Sequence, residues 1–202
     1  MIRALGRALV TATVVAGVTG ALRHRQETMA VRRGDLPPAS AAADIEPVCV
    51  YGPVAQRLSE WVPHVPRTPR GRTLANVWSA PISGLGLAVA LAGGRFPRHD
   101  DSLDCWVVRG VGGPSRRALR WIGADANTIG RVVVCTGDTP SASLLAHEAV
   151  HVRQFERLGP LMVPVYLWLA ARHGYRDHPL ERAARLGARR ATATGVDQSS
   201  SG

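Results

Sequence analysis

The chain has 202 residues, and its 25 basic and 15 acidic side chains give a formal net charge of +10 at pH 7. This length suits one modest domain with additional segments, large enough to bury a core. All of the basic residues are arginines, but neither a nucleic-acid-binding fold signature nor a basic stretch interleaved with aromatic residues accompanies them. The composition therefore argues against nucleic acid as a partner and favours an anionic lipid surface.

The N-terminal part of the chain is apolar and lies between arginines. Residues 8–22 contain no charge and end in small residues, which is the pattern of a signal or anchor segment, but they are short for a spanning helix of about 20 residues. We therefore assign 1–28 as a signal- or anchor-like segment, 29–46 as a linker rich in Pro and Ala, 47–191 as the folded domain and 192–202 as a disordered tail.

The spacing of apolar residues, glycine and proline predicts the elements of the folded domain. In chain order they are a helix over 53–61, an apolar segment over 77–92, a strand over 105–109, a helix over 114–122, a strand over 130–135, a helix over 140–158, an apolar segment over 160–172 and a helix over 179–191. Thr139 and Pro140 are typical of the start of the long helix, and Gly159-Pro160 of its end. Strands among helices predict an α+β fold in which a small sheet packs on that helix.

Besides residues 8–22, two further uncharged apolar stretches lie at 80–94 and 158–171. Both are short and interrupted by Gly or Pro, so each is either part of the core or a segment that contacts lipid. The second stretch carries Tyr166 and Trp168 and has an arginine at each end, which is typical of a segment that dips into a membrane interface. We therefore expect a membrane-associated protein with its domain on the cytoplasmic face; secretion through the N-terminal segment is the alternative.

The cysteines make a complete disulfide framework impossible, because there are three of them: Cys49, Cys105 and Cys135. Cys105 and Cys135 both lie in predicted strands, so they can be neighbours in the sheet. Buried thiols in a reducing compartment are the simpler interpretation.

An H-E-x-x-H motif, His147-Glu148-x-x-His151, lies inside the predicted helix over 140–158. Since a helix turns about 100° per residue, two histidines four positions apart project from one face and can bind one Zn²⁺ ion together. Glu148 lies one step around the helix, where its carboxylate can reach a zinc-bound water and remove a proton. The motif therefore predicts His147 and His151 as metal ligands and Glu148 as the catalytic acid/base.

A catalytic zinc site needs a third protein ligand, and the sequence offers several candidates. The metzincin pattern is excluded because Gln154 and Arg157 occupy the positions of its glycine and third histidine. A gluzincin uses a glutamate from a later helix, and Glu181 lies in the first turn of the helix over 179–191, although an ion pair with Arg185 would also explain it there. The remaining candidates are His173, Asp177, His178 and the less well placed Glu156.

The runs LLAHEAVHVRQFERLGPLMVPVYL and YRDHPLERAAR resemble a group of uncharacterised bacterial zincin-like proteins, whose broader relatives are gluzincin-type peptidase domains. The resemblance covers residues 125–190 and implies a zincin-like fold. It also implies the site residues, which are His147, His151 and Glu181 as zinc ligands and Glu148 as catalytic acid/base. The chain departs from the pattern at His178 and Leu180, where asparagine and an aromatic residue are expected, and neither departure touches a ligand.

Two functions agree with these observations. The first is a zinc metallopeptidase that hydrolyses a peptide or protein substrate, with Glu148 activating the water. The second is a metal-stabilised, non-catalytic membrane-associated protein, in which zinc clamps two helices together and Glu148 is an unused surface acid.

Overall fold

The computed structural model describes residues 2–37, 39, 46–48 and 51–199. The helices are α1 (Ile2–Arg33), α2 (Pro53–Ser59), α3 (Pro69–Ala92), α4 (Gly113–Trp121), α5 (Ala142–Leu158), α6 (Met162–His173) and α7 (Pro179–Ser199), and the strands are β1 (Arg98–Asp100), β2 (Cys105–Val108), β3 (Ala126–Ile129) and β4 (Val132–Cys135). A single 3₁₀ turn, Gly159–Leu161, is described between α5 and α6. The chain divides into two compact units: unit 1 is residues 1–61 with 163–185, and unit 2 is residues 62–162 with 186–202.

Unit 2 contains a four-stranded mixed sheet in the order β1-β2-β4-β3. Strand β4 runs parallel to β2, with Val133 opposite Val107, and antiparallel to β3, with Val133 opposite Thr128. All four residues of β4 are buried, which is why this strand is an unbroken β-branched run ending in cysteine rather than an alternating pattern. The prediction of an α+β fold with a small sheet is confirmed.

Helices cover both faces of this sheet. Alternate residues of a strand point to opposite sides, so each face has its own buried cluster. On one face, Val132 and Val134 form a buried cluster with Ala90 of α3 and Leu119 of α4. On the other face, a second cluster consists of Cys105, Val107, Ala126, Val133, Cys135 and Val152 of α5. The helix that carries the H-E-x-x-H motif is therefore packed against one face of the sheet.

Buried charges also attach α5 to the sheet. Arg153 lies 2.6 Å from the Glu156 carboxylate and donates to the Asp104 carbonyl at 2.9 Å, just before β2 begins. Arg131, just before β4, donates to the Asp104 carboxylate at 2.9 Å and lies 3.3 Å from Glu156. Removing one member of such a network would leave its buried partners uncompensated.

Unit 1 is held together by close contact of α1 with α6 and with the turn that follows it. A Cβ atom on Gly20 of α1 would lie 3.0 Å from the Ala170 Cβ, so the absence of a side chain allows the close approach. Farther along α1, the Glu27 carboxylate accepts hydrogen bonds from the backbone N–H groups of Tyr175 and Arg176 at 2.9 and 2.8 Å. These bonds fix the start of the segment that leads into α7.

Several element boundaries differ from those predicted. Helix α5 begins at Ala142 rather than at Pro140, because Ser141, not Thr139, caps it by accepting the backbone N–H of Leu144 at 3.2 Å. The apolar segment predicted over 77–92 is the second part of α3, which begins after its own cap, Thr68. Strands β1 and β3 were not predicted, and they form the two edges of the sheet.

The terminal segments also differ from the predicted boundaries. Helix α1 continues through Arg33, past the predicted boundary at residue 28, and α7 continues to Ser199, into the segment 192–202 predicted as a tail. Most of the predicted Pro- and Ala-rich linker, at residues 38 and 40–45, lies outside the described residues.

Two glycines of α3 offer a matched test of its close packing on the sheet. A Cβ on Gly86 would lie 2.6 Å from the Ile129 carbonyl oxygen and 2.9 Å from the Val132 Cβ, whereas a Cβ on Gly84 would meet nothing within 4 Å. We expect Gly84→Ala to raise the free energy of unfolding by about 0.5–1 kcal/mol through helix propensity. Gly86→Ala should lower it by about 1–3 kcal/mol through overpacking. Urea denaturation of both variants measures the difference, and equal effects would contradict the observed packing of α3.

Candidate metal centre

Helix α5 places the two motif histidines side by side, as the sequence predicts. The Nε2 atoms of His147 and His151 are 3.2 Å apart, and the ring centroids are 4.9 Å apart. His151 is buried and His147 is partly exposed. Two nitrogens of neighbouring imidazoles that face one another are well placed to share one cation.

The orientation of His151 is set by Gln154. The Nδ1 atom of His151 lies 2.8 Å from the Gln154 side-chain oxygen, and Gln154 is fully buried. An amide oxygen can only accept, so this bond assigns the proton to Nδ1 and the lone pair to Nε2. Gln154 therefore holds His151 in the tautomer that a metal ligand bonding through Nε2 requires.

Glu148 is buried between α5 and the edge strand of the sheet. Only 5% of the residue is exposed, and its Oε2 atom accepts a hydrogen bond of 2.6 Å from the Thr128 hydroxyl of β3. The description of Glu148 as a surface acid, which belonged to the non-catalytic interpretation, is therefore wrong. Thr128 fixes the direction of this carboxylate beside the histidine pair.

Glu181 lies in the first turn of α7 and is also buried. Its Oε1 atom accepts a hydrogen bond of 2.6 Å from the Tyr166 hydroxyl of α6. The ion pair with Arg185 that would explain Glu181 without a metal is present, but its atoms are 4.0 Å apart, at the limit for such a pair. The hydrogen bond from Tyr166 is thus the shorter of these two interactions.

The histidine pair of α5 supplies two of the donors that a metal site needs. Its facing Nε2 atoms lie 3.2 Å apart, whereas Glu181, the third ligand that the sequence predicts, belongs to the other compact unit. Two imidazole nitrogens and one carboxylate oxygen form the donor set of catalytic zinc sites that leave a fourth position open. The pair by itself provides the two nitrogens of that set.

The other candidates for a third ligand have other roles. His178 caps α7, since its Nδ1 accepts the backbone N–H of Leu180 at 3.2 Å, and its Nε2 lies 3.0 Å from the Tyr166 carbonyl oxygen. Asp177 accepts the backbone N–H of Val48 at 2.9 Å. The ring of His173 packs edge-on against a tyrosine, and burial, followed by repulsion from neighbouring arginines, lowers its pKa. Glu156 belongs to the buried ion network described above.

The described cysteines are buried thiols without a disulfide, in agreement with the sequence interpretation. Burial raises the pKa of Cys105 to about 11. Burial and, to a smaller extent, the Glu148 carboxylate raise the pKa of Cys135 to about 12. Both thiols are thus protonated at neutral pH, where neither is a thiolate ligand or a nucleophile. Cys49 lies outside the described residues.

Two hydrogen-bond partners of the predicted site residues were not found from the sequence. Tyr166, which is predicted to lie at a membrane interface, has its hydroxyl bonded to Glu181. Thr128 lies in a short strand that the sequence pattern did not reveal, and its hydroxyl is bonded to Glu148. Neither residue has a sequence signal of its own, because each acts through a contact distant in the chain.

Comparison with known proteins identifies no relative. No family model matches the chain, and neither a curated protein nor a solved structure matches it at a significant level.

The histidine pair and its support can be tested by metal analysis. We expect purified protein to carry about one zinc ion per chain, and His151→Ala to lose it, because the pair then offers a single nitrogen. Gln154→Ala should weaken zinc affinity by about 10- to 100-fold through loss of the tautomer-fixing bond. Gln56→Ala, which changes an exposed glutamine on α2, is the control and should bind zinc normally. Full zinc content in a His147→Ala/His151→Ala double variant would remove this site from consideration.

The third ligand can be tested by comparing neighbouring residues of α7 and its cap. Glu181→Ala should lose far more zinc affinity than Asp177→Ala or His178→Ala, because only Glu181 matches the glutamate of a later helix that a gluzincin uses, whereas Asp177 and His178 bond backbone N–H groups. His178→Ala should instead lower the free energy of unfolding by about 1 kcal/mol through loss of the helix cap. Zinc titration with a competing chelator and thermal unfolding separate these effects. Equal losses of affinity in the three variants would contradict the assignment of Glu181.

Proposed function

We propose that this protein is a zinc-dependent, metallopeptidase-like hydrolase of zincin type. His147, His151 and Glu181 would hold the metal ion, and Glu148 would act as the catalytic acid/base. The observation that carries the proposal is the pair of motif histidines, whose Nε2 atoms face each other at 3.2 Å, with Glu148 directly following the first histidine. A zinc ion bound there would supply a Lewis acid for a substrate carbonyl and lower the pKa of a water molecule.

Glu148 would accept the proton of the attacking water and later deliver it to the leaving amine. Support for this role comes from the hydrogen bond of Thr128 to its Oε2 atom. The bond fixes the carboxylate through one oxygen, so we assign proton transfer to the other oxygen, Oε1. A base with a fixed direction needs less reorganisation when the water arrives.

The position of β3 favours a peptide substrate over a small ester or amide. Strand β3 is one of the two edge strands of the sheet, and its Thr128 is bonded to Glu148 of the motif helix. An extended peptide can add to such an edge through main-chain hydrogen bonds. A peptide bound in this way would run beside the acid/base.

The second candidate function is a metal-stabilised protein without catalytic activity. The observation in its favour is again the Thr128 bond, because a buried carboxylate tied to a neighbouring strand also serves as a structural link. In that case zinc binding would contribute to stability alone. The two functions predict different effects of replacing Glu148.

The Glu148→Gln variant separates the two functions. If Glu148 is the catalytic acid/base, Glu148→Gln should keep its zinc. Its cleavage of a denatured-protein or peptide-library substrate should fall by about 10²- to 10⁴-fold. The control is Glu60→Gln, which changes an exposed glutamate bonded to Gln56 and should change neither zinc content nor cleavage. Mass spectrometry of the products and metal analysis provide the two measurements. Wild-type protein with stoichiometric zinc but no cleavage above that of Glu148→Gln would favour the structural function.

A further inference from the structure

The burial of α3 is the reverse of that expected for a helix of a soluble protein. Its buried positions are held by small residues: Ala75, Ser79, Gly86 and Ala90. Most of its bulky apolar residues point outward, and four of them are more than half exposed: Leu74, Val77, Leu85 and Leu91. An amphipathic helix ordinarily buries its bulky apolar face and exposes a polar one.

The inner face of α3 packs against the sheet, and this packing determines which residues of α3 face outward. Gly86 lies against Ile129 and Val132 of the sheet, and Ala90 belongs to the buried cluster of the same face. The small residues allow close approach of the helix to the sheet. The bulky residues consequently form an outer apolar face that no described residue covers, and we name Leu74, Val77, Leu85 and Leu91 the outer face of α3.

Arginines lie at both ends of this helix. The chain has no charged residue between Arg72 and Arg95, and further arginines stand at positions 67, 70 and 98. With 24 residues, α3 is the one described helix that is long and apolar enough to cross a membrane by length and composition. An apolar face between cationic ends matches a bilayer whose headgroups are anionic.

The packing of α3 favours a helix that lies along the membrane surface over one that crosses it. Its inner face contacts β3 and β4, and the same sheet carries Arg98 and Asp100 on β1 and Arg109 directly after β2. A helix crossing the bilayer would bring these charges and the polar ends of the strands into the hydrocarbon layer at high cost. Lying in the interface, α3 can bury its outer face in lipid while the sheet stays in water.

We infer that the outer face of α3, together with the exposed Leu161, binds the surface of an anionic phospholipid bilayer. Leu161 belongs to the 3₁₀ turn beside α3, where Gly159 lies against the Trp78 side chain. A second copy of the chain fits this surface less well, because antiparallel pairing would bring arginines of both copies together at each end. The predicted membrane contact thus moves from residues 158–171 chiefly to α3.

Vesicle flotation of the full-length protein tests this inference. The probes are phosphatidylcholine vesicles with and without phosphatidylglycerol, at low and high salt. Wild-type protein should float with the anionic vesicles at low salt and less so at high salt. The triple variant Leu74→Gln/Leu85→Gln/Leu91→Gln should lose at least about tenfold in bound fraction, because these side chains no longer enter the lipid. Trp121→Gln, which changes an exposed aromatic residue of α4, is the matched control and should bind as wild type.

Charge and depth are tested separately, so that the inference does not depend on the triple variant alone. Arg67→Gln/Arg70→Gln should reduce the salt-sensitive part of binding, whereas Arg116→Gln/Arg117→Gln on α4 should not. Brominated lipid should quench the fluorescence of wild-type protein more than that of Trp78→Phe, because Trp78 lies on the outward side of α3. The zinc content should be the same in all of these variants, which keeps this test distinct from that of the proposed hydrolase.

Three results would overturn the inference. The first is wild-type protein that stays unbound to anionic vesicles at low salt. The second is undiminished flotation of the folded triple variant together with equal quenching in Trp78→Phe. The third is a wild-type dimer that the triple variant converts to a monomer without any change in vesicle binding, which would assign the outer face of α3 to a second copy of the chain.

Discussion

The attachment of α5 to the sheet is the constraint on which the positions of the motif histidines and Glu148 depend. From Val150 to Glu156 every residue of α5 is buried, so the helix cannot rotate without breaking several contacts. Val152 joins the apolar cluster under the sheet. Arg153 links the helix to Asp104 just before β2, and Glu156 links it to Arg131 just before β4. The two histidines are held side by side because the rest of the helix has no freedom to turn.

Polar contacts around the site orient the side chains that this backbone presents. Gln154 selects the tautomer of His151, and Thr128 directs Glu148. In the other compact unit, Tyr166 directs Glu181 of α7. Each partner is buried or partly buried, where an unmade hydrogen bond costs more than it does in water. The arrangement is therefore preorganised, which is what both a metal-binding site and a catalytic base require.

The same sheet imposes a different requirement on α3. Close approach to the sheet admits only small residues on the inner side of α3, and bulky apolar residues are left outside. In unit 2, α5 thus presents the motif residues and α3 presents an apolar surface. Both arrangements follow from packing on a four-stranded sheet. The limited space between α3 and the sheet, and not a lack of apolar residues, determines which side of α3 faces outward.

The sequence was sufficient to predict the α+β class and most helix positions, which depend on local patterns of apolar residues, glycine and proline. It also predicted the pairing of His147 with His151, which depends on spacing within one helix. Only the structure showed that α5 starts after Ser141, because Thr139 and Ser141 are both good caps and the sequence does not choose between them. Tertiary structure decided that β3 is an edge strand beside β4, that Glu148 is bonded to Thr128 and that Tyr166 is bonded to Glu181. These features join residues that are distant in the chain, and neither the periodicity of a segment nor the propensity of a residue records such a contact.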